Sequence, residues 1–147
     1  MKFEKFLKNC GTHGQILDCT NGDKWLVCGR VGMKVPVGVV NLLGVGEVGK
    51  KTREIIEQIL TADTDNKVEL MSAYIPADGK PNDIIRIFNN PYDCEVGISN
   101  ADFGLLEKSD DNLAYYELDE IVGVPRLLLV LNQDEEIIGF IQGVPEN

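Results

Sequence analysis

Leu127-Leu128-Leu129-Val130-Leu131 is the segment that most restricts the fold of this chain. Side chains of a strand alternate between two faces, so five consecutive apolar residues leave neither face for water. The run is also far too short for a bilayer, which takes about 20 apolar residues in a helix. It predicts a strand buried on both sides, placed centrally in a sheet. With Glu136 to Gln142 it forms a hairpin around Asn132-Gln133-Asp134-Glu135.

Two further hairpins are legible. Gln15 to Cys19 and Lys24 to Gly29 flank Thr20-Asn21-Gly22-Asp23, and Asn-Gly favours a two-residue type I′ turn because both of its central residues need positive φ. That register sets Cys19 opposite Lys24 and Cys28 opposite Gln15. It places Ile16, Trp25 and Val27 on one face and Leu17, Leu26 and Cys28 on the other. Val68 to Ile75 and Asp83 to Phe88 form the other hairpin, joined through Asp78-Gly79-Lys80-Pro81. Leu113 to Leu118 is a further strand, Val96 to Glu107 fits either a short strand or a turn of helix, and Pro36 limits any strand in the Val- and Gly-rich stretch from Arg30 to Leu43.

Helical spacing appears twice. Phe3, Phe6 and Leu7 give a short amphipathic helix over 2–9, and Ile55, Ile56, Ile59 and Leu60 form one stripe of a helix over 51–61, with Arg53, Glu54, Glu57 and Gln58 toward water. Sequential hairpins with two or three short helices predict an α+β fold with a mainly antiparallel sheet. At 147 residues, 44% of them hydrophobic, the chain suits one domain over 1–147.

The charge narrows the function. Twenty-four acids against fourteen bases leave −10, which repels phosphate backbones and anionic lipid headgroups, so neither nucleic acid nor membrane is an expected partner. Lys2, Glu4, Lys5 and Lys8 break up the N-terminal apolar residues before a signal-peptide core forms, which predicts a cytoplasmic protein. Cys10, Cys19, Cys28 and Cys94 lack paired zinc spacing, and the hairpin register separates Cys19 from Cys28 by ~14 Å. The expectation is four reduced thiols and no metal site. His13, three residues after Cys10, is the one histidine and lies in a Gly-Thr-His-Gly turn.

The nearest approach to a chemical motif is Gly44-Val45-Gly46-Glu47-Val48-Gly49-Lys50-Lys51-Thr52. It resembles the phosphate-loop pattern GxxxxGK[ST], in which backbone amides and a lysine hold phosphate and a hydroxyl binds Mg²⁺. Lys51 stands where that hydroxyl belongs, Thr52 comes one residue late, and Glu47 adds a carboxylate inside the loop. Lys50 and Lys51 oppose the helix dipole unless an anion is bound, although a pair such as Lys50 with Glu54 relieves this without a ligand. Asp134-Glu135, after the apolar run, is a loose counterpart of Mg²⁺-binding acids. A phosphate-binding reading would use Gly44, Gly49, Lys50 and Thr52. Asp102-Phe103-Gly104 spells the kinase metal triplet in a chain too short for that fold. Asp110-Asp111 and Asp119-Glu120 read as a solvated acidic surface.

Phe3-Glu4-Lys5-Phe6-Leu7, the turn at Asn21-Gly22-Asp23, and Leu26-Val27-Cys28-Gly29 leading into Met33-Lys34-Val35-Pro36 resemble small proteins of bacteriophages and prophages of Gram-positive bacteria. The resemblance stops there. It implies a mobile-element origin and carries over no catalytic residue.

With no complete catalytic set, the residues point to a non-enzymatic protein–protein interaction or structural protein with no catalytic, cofactor or metal residue. The rivals are a nucleotide- or phosphate-binding enzyme using the 44–52 loop and an acidic mimic of nucleic acid. Strands apolar on both faces, as in the first hairpin, and few helices to cover them predict that one sheet face, or part of it, stays uncovered, and self-association, most simply a homodimer.

Overall fold

The computed structural model describes residues 1–39, 46–118 and 126–145. Three helices, α1 (Phe3–Cys10), α2 (Lys50–Leu60) and α3 (Asn100–Phe103), accompany ten strands: β1 (Gln15–Asp18), β2 (Lys24–Cys28), β3 (Val31–Lys34), β4 (Gly46–Glu47), β5 (Lys67–Tyr74), β6 (Ile85–Asn89), β7 (Glu95–Ser99), β8 (Leu113–Glu117), β9 (Arg126–Leu131) and β10 (Ile137–Gln142). The strands form one sheet in the order β4-β1-β2-β3-β10-β9-β8-β5-β6-β7. The fold is α+β, and every strand pair is antiparallel except β1 with β4.

The apolar run lies where its lack of a polar face requires. β9 runs between β10 and β8. Leu128 and Val130 enter one core, while Leu127, Leu129 and Leu131 enter a second on the other face. The first core is closed by Phe3, Phe6 and Cys10 of α1 and by Phe88, Val96 and Ile98 of the β6–β7 hairpin. The second is closed by Ile56 and Ile59 of α2, over Leu17, Trp25 and Phe140. Each amphipathic helix thus covers the face that its apolar stripe needs.

The first hairpin departs from expectation by one residue. Ile16 pairs with Leu26 and Leu17 with Trp25. Gly22 donates to the Cys19 carbonyl, Cys19 to the Asp23 carbonyl, and positive φ occurs at Gly22 but not at Asn21. This is a three-residue loop ending in a left-handed glycine, which Asn-Gly serves as well as the two-residue turn. A one-residue slip exchanges the faces of one strand against the other. Leu17 therefore joins Trp25 beneath α2, and Leu26 goes to the α1 side. Both faces of this hairpin are covered, so it does not supply the uncovered part of a sheet face that the sequence predicts.

The ambiguous stretch after Asn90 is strand and then helix: β7 leads directly into α3, where the Ser99 hydroxyl accepts from the Asp102 amide. β3 stops at Lys34, ahead of Pro36. Val40 to Val45, Asp119-Glu120 and Gly123 lie outside the described residues, and with them Gly44 of the phosphate-loop reading and the second half of the acidic cluster. Among the described residues no helix is long and apolar enough to cross a membrane.

Candidate functional site

Around the near-miss motif, Gly46 and Glu47 form a short edge strand aligned parallel with Gln15 and Ile16 of β1. A parallel strand feeding a helix is the one feature of phosphate-loop topology that the sequence reading did not expect. The backbone is otherwise committed: the Val48 amide donates to the Ile16 carbonyl at 3.1 Å, and the Val48 side chain is buried. Gly49 precedes α2 in extended conformation with no side-chain cap, and Lys50 and Lys51 are exposed. Thr52 is half-buried, on the first turn of α2. Arg53 donates from Nη1 to the Asp18 carbonyl at 3.3 Å, tying the helix start to β1.

Glu135, the loose counterpart of a Mg²⁺-binding acid, is engaged elsewhere. Lys67 pairs with its Oε2, and Asn112 Nδ2 donates to its Oε1 at 3.1 Å. Hydrogen bonding from Lys67, then from Asn112, holds its carboxyl below the usual range. Asp102 sits in the first turn of α3, and its backbone, not its carboxylate, receives the Ser99 cap.

The cysteines group differently from their spacing. His13 is exposed while Cys10 is 2% exposed. The neighbour of the Cys10 thiol is Cys28, which packs against the same core from β2. All four cysteines are free thiols, and among the described residues no three His, Cys, Asp or Glu side chains are grouped to hold a metal ion. Burial, with the Cys28 thiol adding to it, pushes Cys10 from its ordinary 9.0 up to about 12. Burial and Glu117 push Tyr115 from 10.0 up to about 12. Both groups are held neutral by the fold, so the native state keeps protons that the unfolded chain releases. The contribution of Cys10 to stability should be fully present below pH 9 and should be lost as pH rises from there through about 12. Urea midpoints from pH 8 to pH 11 are expected to fall less steeply for Cys10→Ala than for the native chain, and parallel slopes would contradict this account.

Among the described residues, β5 carries an open edge. Its first residues lie between two strands, Lys67 and Val68 pairing with Ala114 and Leu113 of β8. From Glu69 onward it pairs with β6 alone, up to Tyr74 with Ile85. Among the described residues no strand occupies the other edge of this segment, so alternate backbone N–H and C=O groups face outward unpaired. The side chains are exposed too: Leu70 45%, Met71 58%, Tyr74 45% and Ile75 50%. Leu70 to Ala77 contains no charged residue, in a chain where 26% are charged. Edge strands that must stay solitary are commonly guarded by lysine, proline or brevity. Here proline arrives only at Pro76, after the strand has ended. On the outer side of β5–β6–β7, Tyr74, Ile75, Ile87, Gly97 and Val144 line a cleft of about 570 Å³ beside this edge.

The far edges of the sheet contrast with it. β4 is two residues long, and β7 is crossed at Gly97 by the Val144 amide, which donates to its carbonyl at 2.8 Å. The sequence reading placed a strand at Val68 to Ile75 but passed over this surface. The available signal was the uncharged run Leu70 to Ala77, six residues of it in the predicted strand, in an acidic chain, which does not distinguish burial from exposure.

Compared with protein families, curated proteins and solved structures, the chain finds no match.

Proposed function

We propose that this chain is a non-enzymatic protein-interaction protein whose partner surface is the open edge of β5. The observation that supports the reading is the coincidence of unpaired backbone with exposed Leu70, Met71 and Tyr74 of β5, and Ile75 just after it, in a run without charge. Main-chain hydrogen bonds across such an edge supply affinity, and alternate side chains supply selectivity. A phage or prophage setting rests on the N-terminal resemblance alone.

The second reading, phosphate binding at Lys50, is favoured by the parallel β4–β1 pair preceding α2. Opposing it are the Val48 amide, given to Ile16, and Glu47, which places a carboxylate beside any bound phosphate. Thermal melting separates the two. Millimolar Mg·ATP or Mg·GTP is expected to leave the melting temperature unchanged, and a rise that vanishes in Lys50→Ala would replace the interaction reading with the phosphate one.

A further inference from the structure

We infer that the open edge of β5 takes an extended segment of a basic protein, added as a strand along Glu69 to Tyr74 with a lysine or arginine in the cavity where β5 and β8 part. This rests on the interaction reading and names the class of its partner.

The edge has a defined beginning. β8 holds Lys67 and Val68 and then diverges, so an added strand starts at Glu69 and has the stretch to Tyr74 to pair with, ~20 Å of backbone. The divergence leaves a cavity of about 370 Å³ at the fork, with Lys67, Glu69, Asn89, Asp111 and Asn112 in its walls. The end of an incoming strand lies beside this cavity and supplies a side chain to it.

The charges in the walls decide which side chain fits. Lys67 is already committed: its ammonium pairs with Glu135 and donates to Asn112 Oδ1 at 2.6 Å. Glu69 and Asp111 are exposed, and neither carboxylate has a hydrogen bond or ion pair with a described residue. Two negative charges at the fork are therefore left for a partner. A cation opposite Glu69 forms a favourable cross-strand pair, whereas a carboxylate there meets like charge. Beyond the fork, Leu70 to Ala77 contributes no charge, so the sign of the partner is set at this one end. The net charge of −10 acts in the same direction, drawing basic partners in and repelling acidic ones, a second copy of this chain among them.

The test is an amide NMR titration of the isotopically labelled full chain with capped peptides at millimolar concentration. The probes are Lys-Val-Thr-Val-Thr-Val-Lys, its counterpart with glutamate for both lysines, and its counterpart with proline for both threonines. A lysine at each end sets one at the fork in either strand direction. Shifts are expected along Glu69 to Tyr74, with the lysine peptide binding about tenfold more tightly than the glutamate peptide, because attraction at Glu69 and Asp111 is exchanged for repulsion. The proline peptide, which lacks N–H donors for the edge, should not bind. In the double variant Glu69→Lys/Asp111→Lys, whose sites are exposed, the preference should reverse. Equal affinity for the two charged peptides overturns the inference and leaves the interaction reading standing with an uncharged partner. Binding of the proline peptide, or a preference for lysine that survives in the double variant, also overturns it. Silence at Glu69 to Tyr74 with every peptide overturns both the inference and the interaction reading of β5.

Discussion

Leu128→Ala and Leu129→Ala are each expected to destabilise the fold by about 2–5 kcal/mol, the range for emptying a fully enclosed leucine site. The two side chains leave β9 in opposite directions. Leu128 enters the core under α1 and Leu129 the core under α2, and both are 0% exposed. In a strand with one wet face, one of these substitutions would cost little. Paired losses of similar size would mark burial on both sides. Against a typical total of about 5–15 kcal/mol, either loss lowers the urea midpoint substantially. A cost below about 1 kcal/mol at either position would mean that the face concerned is open to solvent.

Gly32→Ala should also be strongly destabilising, although replacing a strand glycine by alanine ordinarily stabilises by about 0.5–1 kcal/mol. Gly32 of β3 pairs with Phe140 of β10, and an added Cβ would lie 2.3 Å from the Phe140 Cε1 atom and 2.4 Å from Cζ. The ring cannot retreat freely, because it stacks on Trp25 with centroids 6.1 Å apart and Trp25 is 1% exposed. Overpacking of this kind costs about 1–3 kcal/mol. The coupling is checked in the double variant with Phe140→Leu, whose branched side chain leaves room that the ring fills. The pair should be less destabilised than the sum of the single changes. Simple additivity would show that the ring is not what excludes the methyl group.

Much of the fold is legible locally. The hairpin strands, the stripe of Ile56 and Ile59 on α2, the stop before Pro36 and the central place of β9 all follow from period and punctuation, because each depends on residues a few positions apart. What was not legible depends on partners distant in sequence. Nothing near Val31 announces that β3 pairs with β10, and nothing near Val68 announces that β8 will pair with two residues of β5 and then diverge. The parallel β4–β1 pair was hidden for the same reason.

The candidate site was the least legible part. Gly49, Lys50 and Thr52 drew attention because a motif is a pattern of letters. β5 reads from its letters as an ordinary strand, and its interest lies in the missing neighbour. The first hairpin shows the division at its smallest scale. Asn21-Gly22 determined that the chain turns there, since glycine accepts the left-handed conformation at little cost. Whether two or three residues make the loop was decided by the cores, which enclose Leu17 beneath α2 and Leu26 on the α1 side only in the observed register. The sequence by itself determined that this chain builds an antiparallel sheet around a strand with no polar face. Which strands meet, and which edge stays open, was decided by burial summed over the whole molecule, because the energy of covering a face belongs to both surfaces and is written in neither alone.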